Sequence, residues 1–144
     1  LSGAKSAIEV RPGTESDFPA ITGIQQRSPE AAQWPLGDYA GFPLLVARVD
    51  ATVAGFCSWR RIAPGEAEIL NIAVDPAFRR RGVASALLDA LGAQAQSTVF
   101  LEVAEPNTAA IALYRRHGWE PIGIRVGYYG QGTINGIVMK KRSW

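Results

Sequence analysis

Apolar and polar residues alternate through Ile8-Glu9-Val10-Arg11, which predicts a half-buried strand ended by Pro12-Gly13. Thr14 stands three residues before Asp17, in the manner of a capping box. Phe18, Ile21 and Ile24 follow at helical spacing and predict a short helix over residues 15–26. Residues 28–43 carry three prolines and two glycines, with Trp34 and Tyr39 among them, and read as an irregular or short-helical surface excursion suited to contacting partners. Strand signals resume over 44–49 and 53–60, with Asp50, Ala51 and Thr52 spaced for a tight hairpin. Pro64-Gly65 turns the chain again, and residues 67–74 read as the third strand of a meander. The run Ile69-Leu70-Asn71-Ile72-Ala73-Val74 is almost continuously apolar, the pattern of a strand buried on both faces.

The period then changes. Val83, Leu87 and Leu91 lie four apart, with Ala84 and Leu88 beside them, and form the apolar stripe of a helix over residues 82–94. Residues 99–103 make another buried strand. Asn107 or Thr108 caps a helix that carries Ala110, Ile111, Leu113 and Tyr114 and stops at Gly118. Strands near 119–126 and 134–140 complete the sheet. Antiparallel strands followed by a strand–helix–strand–helix unit predict a mixed α/β (α+β) sheet in one domain, residues 1–144, with no repeat, low-complexity tract or linker.

Composition narrows the function classes. A chain of 144 residues buries roughly two-thirds of its unfolded surface, and 47% hydrophobic with 19% charged residues is the balance of a globular chain, not a disordered one. Fifteen basic against thirteen acidic residues leave +2, too little to argue for a nucleic-acid partner. Cys57 as the only cysteine excludes an internal disulfide, and His117 as the only histidine leaves too few ligands for a Cys/His zinc site, so no metal is expected. No stretch is apolar for the roughly eighteen residues a spanning helix needs, so no membrane partner is expected. The default setting is cytoplasmic, and a reducing compartment fits the cysteine count.

The densest chemistry lies in Val74-Asp75-Pro76-Ala77-Phe78-Arg79-Arg80-Arg81-Gly82-Val83-Ala84, where a buried strand ends, three arginines pass and a helix begins. The first amides of a helix lack intrahelical acceptors and carry the positive end of its dipole, so an anion such as a pyrophosphate fits there. On spacing alone the stretch is equally a plain strand-to-helix turn with solvated arginines. The dinucleotide and P-loop glycine fingerprints are both missing.

Arg79-x-x-Gly82-x-Ala84, after the strand Leu70-Asn71-Ile72-Ala73-Val74, resembles the acetyl-CoA signature of the GNAT N-acetyltransferases. Leu101-Glu102-Val103, the run from Asn107 through Tyr114, and His117-Gly118-Trp119 are similar to the second half of that family's core. Tyr128-Tyr129 and Ile137-Val138-Met139 resemble the branch of bacterial ribosomal-protein alanine N-acetyltransferases. The likeness spans residues 8–141 and is dense over 68–139.

The resemblance implies a mostly antiparallel seven-stranded sheet whose central strands, ending at Val74 and Val103, splay apart to admit acetyl-CoA. It assigns the pantetheine arm to the backbone of Ile72, Ala73 and Val74 and the pyrophosphate to the turn of Arg79, Arg80, Arg81, Gly82, Val83, Ala84 and Ser85. Asn107 matches a position that contacts the cofactor arm. Glu102 matches the base and Tyr114 the acid of a direct transfer to a protein's N-terminal amine, a ribosomal protein being one acceptor. Glu68, with Glu66 beside it, is the second choice of base.

Each of these residues also has a plainer explanation. Glu102 in alternation simply faces solvent, Tyr114 at helical spacing is a core aromatic, and Asn107 is a helix cap. Cys57 reads as a buried hydrophobe, His117 as a helix C-terminal residue and Lys140-Lys141-Arg142 as a solvated tail. The branch carries an acidic pair before Ile-Val-Met, where this chain has Ile134-Asn135-Gly136. That departure bears on the acceptor and not on acetyl-CoA. The alternatives are a small-molecule amine acetyltransferase and a non-catalytic acyl-CoA-binding module; retention of both Glu102 and Tyr114 argues against the latter. An RNA- or ribosome-binding module built on Arg79 to Arg81 is weaker still at this net charge.

Overall fold

The computed structural model describes residues 7–142 and Trp144. The elements run β1 (Ile8–Pro12), α1 (Phe18–Gln26), β2 (Leu44–Val49), β3 (Thr52–Ala63), β4 (Glu66–Val74), α2 (Val83–Ala95), β5 (Thr98–Ala104), α3 (Thr108–Arg116), β6 (Glu120–Tyr129) and β7 (Ile134–Lys141). The seven strands are ordered β1-β2-β3-β4-β5-β7-β6. Strands β4 and β5 are parallel, whereas β1/β2, β2/β3, β5/β7 and β6/β7 are antiparallel. The mixed α/β architecture expected from the sequence is therefore present. The β2–β3 connection is tighter than the spacing implied: Asp50 (φ +50°) and Ala51 (φ +68°) form the turn, and Thr52 already belongs to β3.

The chain divides into two compact units. One comprises the residues up to Arg60 with Leu70–Gln94, the other Arg61–Ile69 with Ala95–Trp144.

In the first unit, α1 buries Phe18, Ile21 and Ile24 against Tyr39, Leu44, Val46, Phe56 and Ala73. Arg11 grips the Asp17 carboxylate through two 2.9 Å hydrogen bonds, and the Thr14 amide donates to the same carboxylate at 2.8 Å, which fixes the entry to α1. Helix α2 buries Val83, Leu87, Leu88 and Leu91, the stripe read from the sequence. Gly55 lets it close on the sheet, because a Cβ there would lie 2.9 Å from the Ala73 carbonyl oxygen and 3.0 Å from Val83 Cγ1.

The excursion over 28–43 is irregular, with a 3-10 turn at Leu36–Gly41, but it is not only surface. Tyr39 is buried, and its hydroxyl donates to Gln25 Oε1. Asn71 Nδ2 donates to Gln25 Oε1 (3.2 Å), to the Tyr39 hydroxyl (3.0 Å) and to the Ala32 carbonyl (2.9 Å). Burial, only partly offset by the Asn71 hydrogen bond, pushes the Tyr39 hydroxyl up to about 12. The polar interruption of β4 is thus the peg that fastens the excursion.

Strand β4 corrects the sequence reading. Ala67, Ile69, Asn71 and Ala73 are buried, but Glu66, Glu68, Leu70, Ile72 and Val74 are each partly exposed. The run is apolar without being buried on both faces. The parallel ladder joins Glu66–Glu68 to Thr98–Phe100.

In the second unit, β5 buries Val99, Leu101 and Val103 and leaves Thr98, Phe100, Glu102 and Ala104 half-exposed. It pairs with β7 from Val99↔Lys141 to Ala104↔Gly136. Tyr114 of α3 packs on Trp119 (centroids 5.9 Å apart), which meets Trp144 edge-on.

Candidate active site

The first unit carries the turn that the sequence singled out. Asp75 ends β4 with its amide donating to the Ala54 carbonyl (2.7 Å), and its carboxylate accepts from the Ala77 amide (3.1 Å) and from Arg27 Nη2 (2.6 Å). Burial alone would raise its pKa; the Arg27 guanidinium and the Ala77 amide outweigh that and hold it below the ordinary carboxylate range. The loop after Asp75 is therefore pinned at its start.

Two left-handed residues follow, Arg80 (φ +62°) and Gly82 (φ +86°). Left-handed residues in such turns create concavities lined by N–H groups that hold anions. The Gly82 carbonyl accepts the Ala86 amide at 3.0 Å and opens α2, so Val83, Ala84 and Ser85 form its first turn. Among the described residues a Cβ on Gly82 would meet only Ile8 Cδ1, at 3.9 Å, so these residues leave the space before the helix open.

The three arginines are not equivalent. Arg79 pairs with Glu30 and Arg81 lies over the Phe78 ring (5.4 Å), while Arg80 contributes the unusual backbone. Ile72 and Val74 are on the half-exposed face of β4, and Ala73 is on the buried one.

The second unit gathers Glu102 with residues the sequence had not placed beside it. Glu102 is half-buried on β5. Its Oε1 is buried and, among the described residues, accepts no hydrogen bond; Arg125 Nε lies 3.6 Å away. A Cβ on Gly136 would fall 2.6 Å from that oxygen and 3.1 Å from the Tyr129 ring, so the carboxylate occupies the space a side chain at 136 would take. Burial first, and then the nearby Glu102 charge, raise the pKa of Tyr129, against the opposing Arg125.

Asn135 closes the adjoining loop. Its Oδ1 accepts the Gly127 amide at 3.0 Å, its Nδ2 donates to Glu105 Oε1 at 3.4 Å, and its carbonyl accepts the Glu105 amide at 2.9 Å. The departure from the branch's acidic pair is therefore an amide clamp on the segment that carries Tyr128 and Tyr129.

Asn107 caps α3, its Oδ1 accepting the Ala110 amide at 3.3 Å, so it and not Thr108 is the cap. Tyr114 is buried on α3. Glu68 lies on the half-exposed face of β4, at the register position of Phe100. Cys57 is fully buried, and burial raises its thiol to about 12, a packing residue rather than a nucleophile. His117 ends α3, its carbonyl accepting from Lys141. Among the described residues no group of three or more His, Cys, Asp or Glu could hold a metal. No helix is long and apolar enough to cross a membrane among those residues.

Arg125, Tyr129 and Gly136 were not legible as a group in the sequence. Their meeting depends on the β6–β7 register, which places Arg125 opposite Gly136 and shifts before Tyr129.

The pattern of the acetyltransferase (GNAT) family matches residues 10–119. The chain belongs to this family. It is a GNAT N-acetyltransferase, and members of the family use acetyl-CoA. The ribosomal protein bS18-alanine N-acetyltransferase of Salmonella typhimurium is 36% identical over 135 residues, covering 86% of this chain and 90% of that protein. An uncharacterized protein of Mycobacterium leprae is 39% identical over 101 residues, covering 67% of this chain and only 28% of that longer protein. The crystal structure of the ribosomal-protein-alanine N-acetyltransferase from Escherichia coli superposes with a TM-score of 0.83 at 30% identity, over 96% of both chains.

Proposed function

We propose that this acetyltransferase acetylates the α-amine at a protein N-terminus, a ribosomal protein being the leading acceptor, by direct attack of the amine on the acetyl-CoA thioester. The observation that carries the reading is the Glu102 carboxylate, half-buried beside Tyr129 with one oxygen buried and unbonded. A carboxylate with one oxygen already turned inward offers its other oxygen, Oε2, to an ammonium that gives up its proton. An α-amine has an unperturbed pKa of about 8 against about 10.4 for lysine, so a carboxylate has less to do on an N-terminus.

The roles follow the resemblance residue by residue. The backbone of Ile72, Ala73 and Val74 holds the pantetheine arm, and an N–H there polarises the thioester carbonyl. The turn from Arg79 to Ser85 takes the pyrophosphate; its open space at Gly82 and its two left-handed residues fit that anion. Asn107 touches the cofactor arm as well as capping α3. The amine nitrogen bonds to the acetyl carbon, its proton passes to Glu102, the carbon–sulfur bond breaks, and the Tyr114 hydroxyl protonates the departing thiolate. A phenol is a proton donor as well as an acceptor, and the Tyr114 ring is held by Trp119. We place the reaction in the cytoplasm, a reducing setting that fits the buried lone thiol.

Asn135, standing where the branch has a carboxylate, gives a small-molecule amine its one specific argument as the acceptor. A panel of peptides with free N-terminal Ala, Ser, Thr or Met, an N-terminally blocked peptide with a free lysine, and a polyamine separates the two by mass spectrometry with acetyl-CoA. The Ala peptide is expected to gain one acetyl group at its terminus. Faster acetylation of the lysine peptide or the polyamine refutes the acceptor class.

A further inference from the structure

We propose that Arg125 is the positioning residue for Glu102, a role that rests on reading Glu102 as the proton acceptor. Arg125 lies on β6 directly opposite Gly136 of β7, and Gly136 is in turn opposite Ala104 of β5. Glu102 precedes Ala104 by two on β5, so both side chains lie on one face of the sheet. The Glu102 side chain passes over the bare backbone of Gly136 and brings Oε1 to 3.6 Å from Arg125 Nε. That distance is an ion pair and not a hydrogen bond, and Oε1 is otherwise without a donor among the described residues.

The guanidinium also lies over the exposed Tyr128 ring, 4.8 Å from the centroid, and Tyr128 meets Tyr129 edge-on at 5.0 Å. Arg125 is itself exposed, but its cation stands over the niche, and its attraction keeps one carboxylate oxygen turned inward over Gly136. The other oxygen, Oε2, is left to take the acceptor's proton. Without the cation no other group among the described residues retains Oε1, and the carboxylate gains water by swinging outward. The consequence falls on the proton-transfer step and not on cofactor binding.

The test measures kcat and both KM values with acetyl-CoA and the preferred acceptor of the panel, together with Tm, for Arg125→Ala, Arg125→Lys, Glu102→Gln and the Arg125→Ala/Glu102→Gln double variant. Arg125→Ala is expected to lower kcat about tenfold with acetyl-CoA KM and Tm unchanged, and Arg125→Lys to return kcat to within about threefold of wild type. In the double variant the Arg125 change costs nothing beyond Glu102→Gln, because Arg125 acts through that carboxylate. An unchanged kcat in Arg125→Ala, a loss confined to acceptor KM, or additive losses in the double variant overturns the assignment. A silent Glu102→Gln overturns the reading of Glu102 itself and is seen in its own arm.

Discussion

A β-carbon on Gly136 would lie 2.6 Å from Oε1 of Glu102, closer than any real contact of that kind. Gly136 is buried and its φ is not left-handed, so the glycine is present for space and not for backbone freedom. Gly136→Val suits a strand and should fold. Its side chain displaces the far end of Glu102, and kcat is expected to fall about tenfold while acetyl-CoA affinity holds. A Val variant with wild-type kcat shows that the niche over residue 136 is not where the carboxylate works.

The elements were legible because their periodicities are clean. Val83, Leu87 and Leu91 gave α2, and the alternation about Ile8 and Val10 gave β1. Long-range geometry was not legible. Nothing local marks Asn71, in a run read as almost continuously apolar, as the residue that holds Gln25 and Tyr39, forty-six and thirty-two residues away. Apolar alternation also misleads on β6, where Ile122, Ile124, Val126 and Tyr128 are exposed, Val126 by 85%. Arg125 is not legible locally because the register shift between Arg125 and Tyr129 decides what it faces, and no local pattern encodes a shift.

Gly82 separates backbone strain from ligand chemistry. At φ +86° any L-residue is strained, so Gly82→Ala and Gly82→Glu should lose similar stability, about 1–2 kcal/mol. Only the glutamate adds a negative charge where phosphate oxygens are expected. Calorimetric titration with acetyl-CoA should find binding weakened in the Ala variant and lost in the Glu variant. Equal affinities in the two folded variants would place the pyrophosphate elsewhere.

Tyr114 is buried against Trp119, so its ring and its hydroxyl have to be tested apart. Tyr114→Phe keeps the packing and removes the donor. Turnover should fall by about ten- to a thousandfold, with acetyl-CoA affinity and Tm close to wild type. Wild-type turnover would leave the residue as core packing alone.

Acid stability should depend on Asp17. The Arg11 guanidinium holds its pKa below the ordinary carboxylate range, burial opposes this, and the Thr14 amide adds to the lowering. Because the folded value lies below the unfolded one, the stabilisation is complete above about pH 4 and is lost as pH falls through the folded pKa. Asp17→Asn should therefore cost about 1–3 kcal/mol at pH 7, and the wild-type and variant Tm curves should converge below pH 4. Parallel curves down to pH 2 would mean that the pair contributes nothing.

Asn135 decides whether the missing acidic pair matters. Its Oδ1 accepts the Gly127 amide and its Nδ2 donates to Glu105, so it ties the start of the segment that turns through Gly127, Gly130, Gln131 and Gly132, all at positive φ, to the start of β7 and to the residue after β5. Such a segment gains little from its own backbone preferences and needs an external clamp to hold Tyr128 and Tyr129 in one place. Asn135→Ala removes both side-chain bonds and should raise the acceptor KM about three- to tenfold, leaving acetyl-CoA KM unchanged. Asn135→Asp keeps an acceptor for the Gly127 amide but sets a carboxylate against Glu105. If the clamp is what the position supplies, the Asp variant falls between wild type and Ala. If instead a carboxylate there attracts a cationic N-terminus, the Asp variant binds the Ala peptide more tightly than wild type. The acceptor KM of that one variant, measured beside Asn135→Ala, tells a loop clamp from a charge subsite.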